Sequence, residues 1–436
     1  MTELPEGWGL TSLGQLMVER ASSLNPAQFP DEEFELYSIP ANDGNGFDIV
    51  RGAEIGSSKR LVAPRDVMVS KIVPHIRRSR VVGPARGHRQ IASTEWITFR
   101  STVLDPMFLR YFLISDDFHD QFMTTVSGVG GSLMRAQPAR AKRIPVPIPP
   151  LDEQRRIVAI LEDHLAHLDA AGSLISQARM MIDALITNIL LYLIPDVQHY
   201  PNNWLTSTVG DAGKVELGRQ RHPDWHTGPD MHPYLRVANV FEDRLDLSDV
   251  MHMHWPEGSF DRFKLHPGDV LLNEGQSPQF LGRPAIYLGD PPDVAFTNSL
   301  IRFQASGNVL PDFALLVFRR HMRAGRFISE SRITTNIAHL SAGRLKSVEF
   351  PIPPLAEQQK LITLAKVLLQ GVQRLSDQLI YLSDSQEILR RSLLAAAFRG
   401  DLTADRRAAR HRSAVSVIVG PSEDQRQTRD RTHNAG

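Results

Sequence analysis

The segment Ile148-Pro149-Pro150-Leu151-Asp152-Glu153-Gln154 recurs 204 residues later as Ile352-Pro353-Pro354-Leu355-Ala356-Glu357-Gln358. The same spacing relates Ile97-Thr98-Phe99 to Ile301-Arg302-Phe303. A period near 200 residues is far longer than the roughly 20–50 residues of solenoid repeats. The sequence therefore predicts two copies of a whole module, each a globular part followed by a helix.

Each double proline is followed by a long proline-free stretch, one from Leu151 to Ile194 and one from Leu355 past Leu402. Proline favours positions at or just before a helix start. Acidic residues such as Glu153 and Glu357 then fall in the first turn, where negative charge suits the helix dipole. We expect two helices of about 40 residues, each about 60 Å long.

Apolar residues in both stretches are spaced alternately three and four apart, which is the heptad pattern of a coiled coil. One apolar row on each helix needs a partner, and the simplest partner is the other helix in an antiparallel pair. A core helix in a bundle is the alternative. The residues predicted to pack between these spacer helices are Leu161, Leu165, Leu168, Ile175, Ile182, Leu185, Ile189, Leu369, Val372, Leu375, Leu379, Leu382, Leu389 and Leu393.

The segments outside the helices contain short β-type runs broken by Gly, Pro and Asp, with helical pieces at Met107–Phe122 and Asp312–Phe327. We predict an α+β fold class, with two α/β globular domains separated by two long antiparallel coiled-coil helices and an internal pseudo-twofold repeat. The predicted boundaries are domain 1 at 1–150, the central helix at 151–195, domain 2 at 196–353, the C-terminal helix at 354–402 and a disordered tail at 403–436.

The composition excludes several classes of protein. There is no cysteine, so disulfides and cysteine-ligated metal sites are ruled out. Lys plus Arg balance Asp plus Glu at 49 each, which weighs against an autonomous tight DNA binder, because phosphate attraction drives such binding. The start at Met1–Pro5 has no secretory leader, and the apolar stretch Ile182–Ile194 is too short to span a membrane. A cytoplasmic protein without membrane contact is expected.

Basic residues nevertheless cluster locally, and a glycine-rich loop at Gly128–Ser132 precedes one such cluster. Arg and Lys contact phosphates, while Arg, Asn and Gln also bind base edges. A solvated surface charge is the alternative for each residue. The candidate DNA-binding residues are Lys71, Arg77, Arg78, Arg80, Arg89, Gly130, Ser132, Arg135, Arg219, Arg221, Arg326, Arg332, Thr334, Thr335 and Asn336.

Two motifs suggest chemistry but lack essential parts. Asp290-Pro291-Pro292-Asp293 is similar to the Asp/Asn-Pro-Pro-aromatic motif of amino-methyltransferases, but an aspartate replaces the aromatic residue that stacks on a flipped base. We expect a turn there. His252 and His254 would face one side of a strand, yet a catalytic zinc needs a third ligand. We predict neither a catalytic residue nor a metal site.

The whole pattern resembles the specificity subunit of Type I restriction–modification systems over about residues 5–402. The two Ile-Pro-Pro-Leu-x-Glu-Gln segments are its most specific parts. The ending Leu393-Leu394-Ala395-Ala396-Ala397-Phe398-Arg399-Gly400-Asp401-Leu402 is similar to the family's Ala-Ala-Phe-x-Gly-x-Leu, and Trp8 and Trp204 fit the starts of the two copies. Leu191–Pro195 departs from that ending, so a different exit from the first helix is expected.

The resemblance implies that each globular domain is a target-recognition domain for one half of a split sequence in double-stranded DNA. The helix pair would set the spacer and dock two methyltransferase (modification) subunits, which would carry S-adenosylmethionine and methylate adenine at N6. Motor–nuclease (restriction) subunits using ATP and Mg²⁺ would add cleavage, as in phage defence. This chain would bind no cofactor itself, and its strongly diverged domains suggest an asymmetric target.

Two other functions remain open from the sequence. A structural adaptor could use the coiled coil to join partner proteins without reading DNA. A metal-dependent hydrolase could use His252 and His254.

Overall fold

The computed structural model describes residues 4–18, 22–39, 46–128, 134–256, 258–334 and 337–409. The chain divides into two compact units: unit 1 comprises Met1–Leu174 and Leu382–Gly436, and unit 2 comprises Ile175–Tyr381. Each unit therefore contains one globular part and about half of each long helix. The sequence predicted the helices as elements outside the globular domains, whereas the structure shares each helix between the two units.

The first globular part is mixed α and β. Its described strands form sheets with the orders β2-β5-β8-β3-β4, β7-β6-β9, β1-β12 and β10-β11, and helix α5 (Leu151–Leu193) follows the last strand. The elements before α5 are β1 (Gly9–Ser12), α1 (Leu13–Leu16), β2 (Ser23–Leu24), β3 (Glu33–Tyr37), β4 (Asp48–Arg51), β5 (Lys59–Leu61), β6 (Val67–Ser70), β7 (Ser79–Val81), β8 (Arg89–Ala92), β9 (Trp96–Phe99), α2 (Pro106–Phe112), α3 (Asp116–Met123), β10 (Val126–Ser127), β11 (Arg135–Ala136), α4 (Pro138–Ala141) and β12 (Pro145–Ile148).

The second globular part has related topology. Its described strands form sheets with the orders β14-β23-β19-β21, β18-β15-β22, β20-β25-β24, β16-β17 and β13-β26, and helix α11 (Leu355–Arg399) follows. The elements before α11 are β13 (Leu205–Thr208), α6 (Val209–Ala212), β14 (Gly213–Leu217), β15 (Met231–Leu235), β16 (Val240–Phe241), β17 (Arg244–Leu245), β18 (Met251–His254), α7 (Ser259–Phe263), β19 (Val270–Asn273), β20 (Gly275–Gln276), β21 (Pro284–Ile286), β22 (Ala295–Phe296), β23 (Leu300–Ala305), α8 (Pro311–Arg323), α9 (Arg326–Ser329), β24 (Arg332–Thr334), β25 (Ile337–His339), α10 (Ala342–Lys346) and β26 (Glu349–Ile352).

The duplication is visible in strand pairing. The first strand of each copy pairs antiparallel with the strand before the long helix, with Gly9 opposite Ile148 in β1–β12 and Leu205 opposite Ile352 in β13–β26. The central strands β6 and β19 pair antiparallel with β9 and β23 in the same way. These matches confirm the predicted internal repeat and the α+β class.

The glutamine of each repeated motif joins the start of a long helix to the preceding globular part. Gln358 is fully buried. Its amide oxygen accepts from the Leu310 N–H at 2.8 Å, and its amide nitrogen donates to the Asn308 and Pro353 carbonyls, both at 2.8 Å. Gln154 makes the same three hydrogen bonds in the first copy. Its amide oxygen accepts from the Asp105 N–H, and its amide nitrogen donates to the Val103 and Pro149 carbonyls. Buried polar groups require such partners, which explains the glutamine in both motifs.

The glutamate of each motif binds different partners in the two copies. Glu357 accepts hydrogen bonds from the Trp204 indole and the Asn203 amide, each at 2.8 Å. Glu153 instead accepts from the Thr403 hydroxyl at 2.6 Å and forms an ion pair with Arg407. The segment after α11 is therefore attached to the start of α5 within unit 1.

The prediction of a disordered tail from residue 403 was wrong for its first residues. Thr403 is buried, and residues 404–409 are helical. The buried carboxylate of Glu153 needs these hydrogen bonds, and composition alone gave no sign of that. Residues 410–436 lie outside the described part of the chain.

The two long helices run antiparallel within unit 1. Gln386 of α11 donates to the Leu168 carbonyl at 2.6 Å, and Arg390 forms an ion pair with Asp169. Further along the chain the Thr403 hydroxyl donates to Glu153. Residue numbers along α5 therefore decrease as residue numbers along α11 increase. Leu161 and Leu165 are buried in the core of this unit.

The same helices contribute to the core of unit 2. Ile189 and Leu190 of α5 pack in a cluster with Ile362 and Ala365 of α11 and with the globular part. Of the predicted packing residues, Val372 is buried, and the following are partly buried: Leu168, Ile175, Ile182, Ile189, Leu369, Leu379 and Leu393.

Four of the predicted packing residues are exposed, because the heptad spacing alone does not distinguish two neighbouring rows on one helix. On α11, Ser376, Ser383 and Gln386 are half-buried and lie between Leu375 and Leu389 in the sequence. The exposed members are Leu185 at 43%, Leu375 at 50%, Leu382 at 49% and Leu389 at 56%.

A buried histidine in unit 2 makes stability depend on pH. His321 is fully buried on α8, with its Nε2 3.0 Å from the Glu349 carbonyl and its Nδ1 3.3 Å from Arg320. Burial lowers the pKa of His321 from 6.5 to about 4. The folded protein therefore keeps this imidazole neutral under conditions in which the unfolded chain binds a proton.

We expect unit 2 to lose stability as the pH falls from 6.5 towards 4, because only the unfolded state gains the proton in that window. The full effect of this one group is about 3 kcal/mol. The urea midpoint should fall between pH 7.5 and pH 5, and H321Q, whose amide keeps a donor for Glu349, should flatten the dependence. An unchanged slope in H321Q would assign the acid sensitivity to other groups.

Candidate nucleic-acid interface

In unit 1 a hairpin lies along the connection between two core strands. The connection spans residues 71–78 between β6 and β7, and the hairpin is β10–β11. The Ala136 N–H donates to the Lys71 carbonyl at 2.8 Å, the Val73 N–H donates to the Met134 carbonyl at 3.1 Å, and Ile72 forms a β-bridge with Arg135. We call the adjoining side chains of Lys71, Glu95 and Arg135 the hairpin surface of unit 1.

Unit 2 repeats this backbone arrangement. The Leu340 N–H donates to the Glu274 carbonyl at 2.8 Å, and Gly275 pairs with His339 in the β20–β25 ladder. The Glu274 N–H donates to the Ser299 carbonyl at 3.0 Å, as the Lys71 N–H donates to the Glu95 carbonyl at 3.0 Å. We call the side chains of Glu274, Ser299 and His339 the hairpin surface of unit 2.

The two hairpin surfaces differ in charge. In unit 1 the Glu95 carboxylate lies 3.3 Å from Arg135 and 3.8 Å from Lys71, giving two cations around one anion. In unit 2 the Glu274 carboxylate lies 3.3 Å from the His339 imidazole. The hydrogen-bonded backbone frame is thus shared, while the groups that it presents are different. Surfaces of this kind can recognise different hydrogen-bonding patterns in the major groove.

The backbone of the unit 1 connection is strained at Val73. Its φ angle is +47°, a left-handed conformation that a β-branched residue rarely adopts. Its N–H is bound by Met134, and its carbonyl accepts from the Ile76 N–H at 3.0 Å. Strain of this kind persists only where neighbouring structure enforces it, and it concentrates at functional sites. The connection therefore has a preset shape beside the hairpin.

The predicted DNA-binding residues occupy several environments in the described part of the chain. Lys71 and Arg135 share the unit 1 surface, and Arg221 is exposed in unit 2. Arg78 and Arg80 are half-buried near β7. Arg332 and Thr334 lie on β24, the strand paired with β25. Gly130, Ser132, Thr335 and Asn336 fall outside the described residues.

Two predicted arginines of unit 1 form ion pairs with acids within the protein. Arg77 forms an ion pair with Asp116, which also binds Arg391 at 2.8 Å. Burial raises the pKa of Asp116, and hydrogen bonds from Arg77 and Arg391 more than offset this, leaving it below its ordinary value. Arg89 pairs with Glu32, whose pKa the Arg89 hydrogen bond lowers.

Two predicted arginines of unit 2 also have partners within the protein. Arg326 binds Glu349 at 2.9 Å and Glu330 at 2.7 Å. The guanidinium of Arg219 stacks 4.1 Å from the Trp225 ring centre, and burial lowers its pKa. These guanidinium groups have carboxylate or aromatic partners within the protein, and their contact with DNA stays a prediction.

Sequence reasoning missed four members of the hairpin surfaces: Glu95, Glu274, Ser299 and His339. The internal repeat carried the signal, because Glu274 and His339 lie 203 and 204 residues after Lys71 and Arg135. An expectation based on basic residues alone does not include the acids and histidines at the equivalent positions.

The two histidines weighed as metal ligands lie on strand β18. His252 is exposed and His254 half-buried on β18, and no group of three metal-ligating side chains occurs in the described ranges. Asp293 of the Asp-Pro-Pro-Asp segment is paired with Lys264 in a turn, as expected from the sequence.

The long helices expose apolar side chains that their mutual packing leaves uncovered. In unit 2 these include Met181 at 71% and Tyr192 at 80% on α5 and Val367 at 63% on α11. In unit 1 Ile388 of α11 is 65% exposed. Clustered exposed apolar side chains are characteristic of protein interaction sites.

By length and composition alone, α5 could cross a membrane, contrary to the expectation based on Ile182–Ile194. Core helices of globular proteins meet the same criterion. Ile186, Ile189 and Leu190 of this helix pack in the core of unit 2.

The two globular parts share one backbone frame but carry different polar surfaces, and each is completed by halves of the same two helices. The family model described as "Type I restriction modification DNA specificity domain" matches residues 201–370. The chain is 23% identical over 313 residues to the Type I restriction enzyme EcoKI specificity subunit of Escherichia coli (strain K12), covering 69% of this chain and 66% of that protein.

Further relatives agree. The StySPI specificity subunit of Salmonella potsdam is 21% identical over 315 residues, covering 70% of this chain and 67% of that protein. The chain thus spans about two thirds of the length of these two relatives. A solved structure from work on complex assembly and conformational transition of the type I R-M system shares the fold, with a TM-score of 0.73, 21% identity and coverage of 92% of this chain and all of that one. Residues 201–370 thus match a Type I restriction modification DNA specificity domain, and the chain is similar to Type I specificity subunits over about two thirds of their length.

Proposed function

We propose that this chain selects the DNA target of a Type I restriction–modification complex. Each globular part recognises one half of a bipartite, asymmetric site through its hairpin surface, and the paired helices determine the spacer. Two methyltransferase subunits and the motor–nuclease subunits act at the chosen site, with adenine N6 as the methylated atom. The complex works in the cytoplasm.

The difference between the two hairpin surfaces carries this proposal. Equivalent backbone hydrogen bonds hold Lys71 and Arg135 in unit 1 but Glu274 and His339 in unit 2. Arginine and lysine favour guanine edges and phosphates, whereas a carboxylate accepts from cytosine N4. Two unlike reading surfaces require two unlike half-sites. A protein that joins partners without recognising DNA sequence does not require two different polar surfaces.

The exposed apolar side chains of the helices in each unit are proposed to dock the methyltransferase subunits. Met181, Tyr192 and Val367 would be covered in unit 2, and Ile388 would be covered in unit 1. Aromatic residues and methionine are enriched in protein interfaces. We further propose that S-adenosylmethionine, ATP and Mg²⁺ bind only to the partner subunits and that this chain supplies no catalytic residue.

The neutral net charge fits a chain whose DNA affinity is completed by its partners. The isolated chain is expected to bind DNA weakly and with strong salt dependence, and the assembled complex tightly at one sequence. Tight specific binding by the isolated chain in gel-shift titrations would count against this division of labour.

Methylome sequencing tests the target-selection role. In cells with the methyltransferase subunit, adding this chain should place N6-methyladenine at one bipartite asymmetric sequence. R135A should relax the sequence at one half-site only, because each lost base contact is worth about 1–3 kcal/mol of discrimination. R140A is the matched control, since Arg140 is exposed on α4 outside the hairpin surface.

Three results would contradict the proposal. Methylation that is unchanged when the chain is absent would remove its role in target choice. Methylation without sequence preference would favour the adaptor. Relaxation of both half-sites by R135A would contradict independent reading by the two units.

A further inference from the structure

The glutamates of the two repeated motifs have equivalent backbone positions. The N–H groups of Trp8 and Trp204 donate to the carbonyls of residues 5 and 201, at 3.1 and 2.9 Å. The two tryptophans directly precede β1 and β13, which pair in the same way with the strands before Glu153 and Glu357. Each tryptophan therefore has the same position relative to the glutamate of its own copy, and the two sites can be compared directly.

In unit 2 the glutamate is bound by residues from the start of the same copy. Glu357 accepts from the Trp204 indole and the Asn203 amide, each at 2.8 Å, and it is half-buried. Gly7 takes the position of Asn203 in unit 1. Of these two side-chain donors, only the Trp8 indole therefore remains in unit 1.

In unit 1 the glutamate is bound by residues 401–409, which follow α11 and which we call the strap. The Thr403 hydroxyl donates to Glu153 at 2.6 Å, and Arg407 forms an ion pair with the same carboxylate oxygen. Arg407 also donates to the Thr403 hydroxyl at 2.8 Å and to the Gly400 carbonyl. Glu153 is only 5% exposed, so the strap covers the start of α5.

The Trp8 indole has no acceptor beside the bound strap. Trp8 is 8% exposed, and its Nε1 is buried without a hydrogen-bond partner in the described part of the chain. The Arg407 guanidinium, which pairs with Glu153, lies 5.8 Å from the centre of the Trp8 ring. Buried N–H groups nearly always have a partner, and unit 2 shows that a glutamate carboxylate can be that partner.

Opposing contributions act on the bound strap. A hydrogen bond between charged groups is roughly twice as strong as a neutral one, which favours Arg407 over the Trp8 indole as the partner of Glu153. Binding of the strap also orders a chain segment and leaves a buried N–H without a partner, and both effects favour its release. Loss of the Arg407 side chain should therefore shift the preference towards Trp8.

We infer that the strap is a displaceable cover over the start of α5, which competes with Trp8 for Glu153. In the closed arrangement Thr403 and Arg407 bind the carboxylate. In the open arrangement the strap is released, and the Trp8 indole donates to Glu153 as the Trp204 indole does to its own glutamate. The carboxyl-terminal residues thus control the exposure of this part of unit 1. The inference goes beyond the proposed function and does not depend on it.

The indole N–H signals of the full-length chain test the inference. NMR spectra of protein labelled with ¹⁵N-tryptophan resolve these signals, and W8F and W204F assign two of them. In the wild type we expect the Trp204 proton downfield, because it binds a carboxylate, and the Trp8 proton upfield of it. R407A should move the Trp8 proton downfield into the range of the Trp204 proton.

Two further variants separate this competition from a general change in charge or packing. R406A is the matched control, because Arg406 is the neighbouring cation and pairs with Asp152 at 3.9 Å. Its removal changes the net charge equally and should leave the Trp8 signal in place. T403V keeps the ion pair of Glu153 and removes only the hydroxyl hydrogen bond, so it should move the Trp8 proton downfield by a smaller amount.

The outcomes distinguish the alternatives. A downfield shift in R407A that disappears in the double variant R407A/E153A would support the inference, because the acceptor is then absent. An unchanged Trp8 signal in folded R407A would overturn it, as would an equal shift in R406A or a Trp8 proton that is already downfield in the wild type. If R407A does not fold, T403V decides, and an unchanged Trp8 signal there would overturn the inference.

Discussion

Replacing Gln358 with leucine is expected to lower the free energy of unfolding of unit 2 by about 3–5 kcal/mol. The substitution leaves one backbone N–H, of Leu310, and two carbonyls, of Asn308 and Pro353, without their buried partner. A buried polar group that loses its partner costs about 1–3 kcal/mol. Urea unfolding followed by circular dichroism measures the loss, and hydrogen exchange should locate it at the Leu310 amide.

The neighbouring glutamine provides the control. Gln359 is exposed on the same turn of α11, so Q359L should change stability by no more than about 0.5 kcal/mol. Q154L should reproduce the large effect in unit 1, because Gln154 binds the equivalent three groups. Equal stabilities of Q358L and Q359L would show that the motif glutamine does not hold the helix to the globular part.

Phe398→Ala is expected to destabilise unit 1 by about 3–5 kcal/mol, the usual effect of removing a buried phenylalanine. The Phe398 ring centre lies 5.3 Å from that of Phe108 and 5.4 Å from that of Phe112. A residue near the end of α11 is thus part of the core of the amino-terminal globular part. Urea unfolding gives the size of the effect, and hydrogen exchange should show the loss in α2.

Ile388→Ala serves as the comparison, since Ile388 lies on the same helix and is 65% exposed. Its stability should stay within about 0.5 kcal/mol of the wild type. If Phe398→Ala behaved like Ile388→Ala, the end of α11 would be a spacer alone and not part of the unit 1 core.

The sequence predicted the features that repeat along it. The motif at Ile148–Gln154 and its copy located both long helices, which begin at Leu151 and Leu355 in the structure. Proline and acidic residues act locally at helix starts, so a linear pattern suffices to find them. The heptad spacing also indicated that the helices pair.

Tertiary partners could not be predicted in the same way. Arg77 is held by Asp116, and that carboxylate also binds Arg391, a residue from the far end of the chain. Whether an arginine faces solvent or an acid depends on folding that no local pattern records. For the same reason, the sequence predicted only the basic members of the hairpin surfaces, Lys71 and Arg135. Glu274 and His339 became recognisable only from the backbone frame, which is equivalent in the two units.

The division of the two helices between the units has a consequence for synthesis on the ribosome. Unit 2 is one continuous segment, Ile175–Tyr381, whereas unit 1 needs both Met1–Leu174 and the residues after Leu382. The amino-terminal part therefore emerges first but cannot complete its core until Phe398 has been translated. Until then the apolar side chains of this part stay exposed. Intermediates of this kind are prone to aggregate, and chaperones protect them. Unit 2, which is translated between the two parts of unit 1, can therefore fold before unit 1 does.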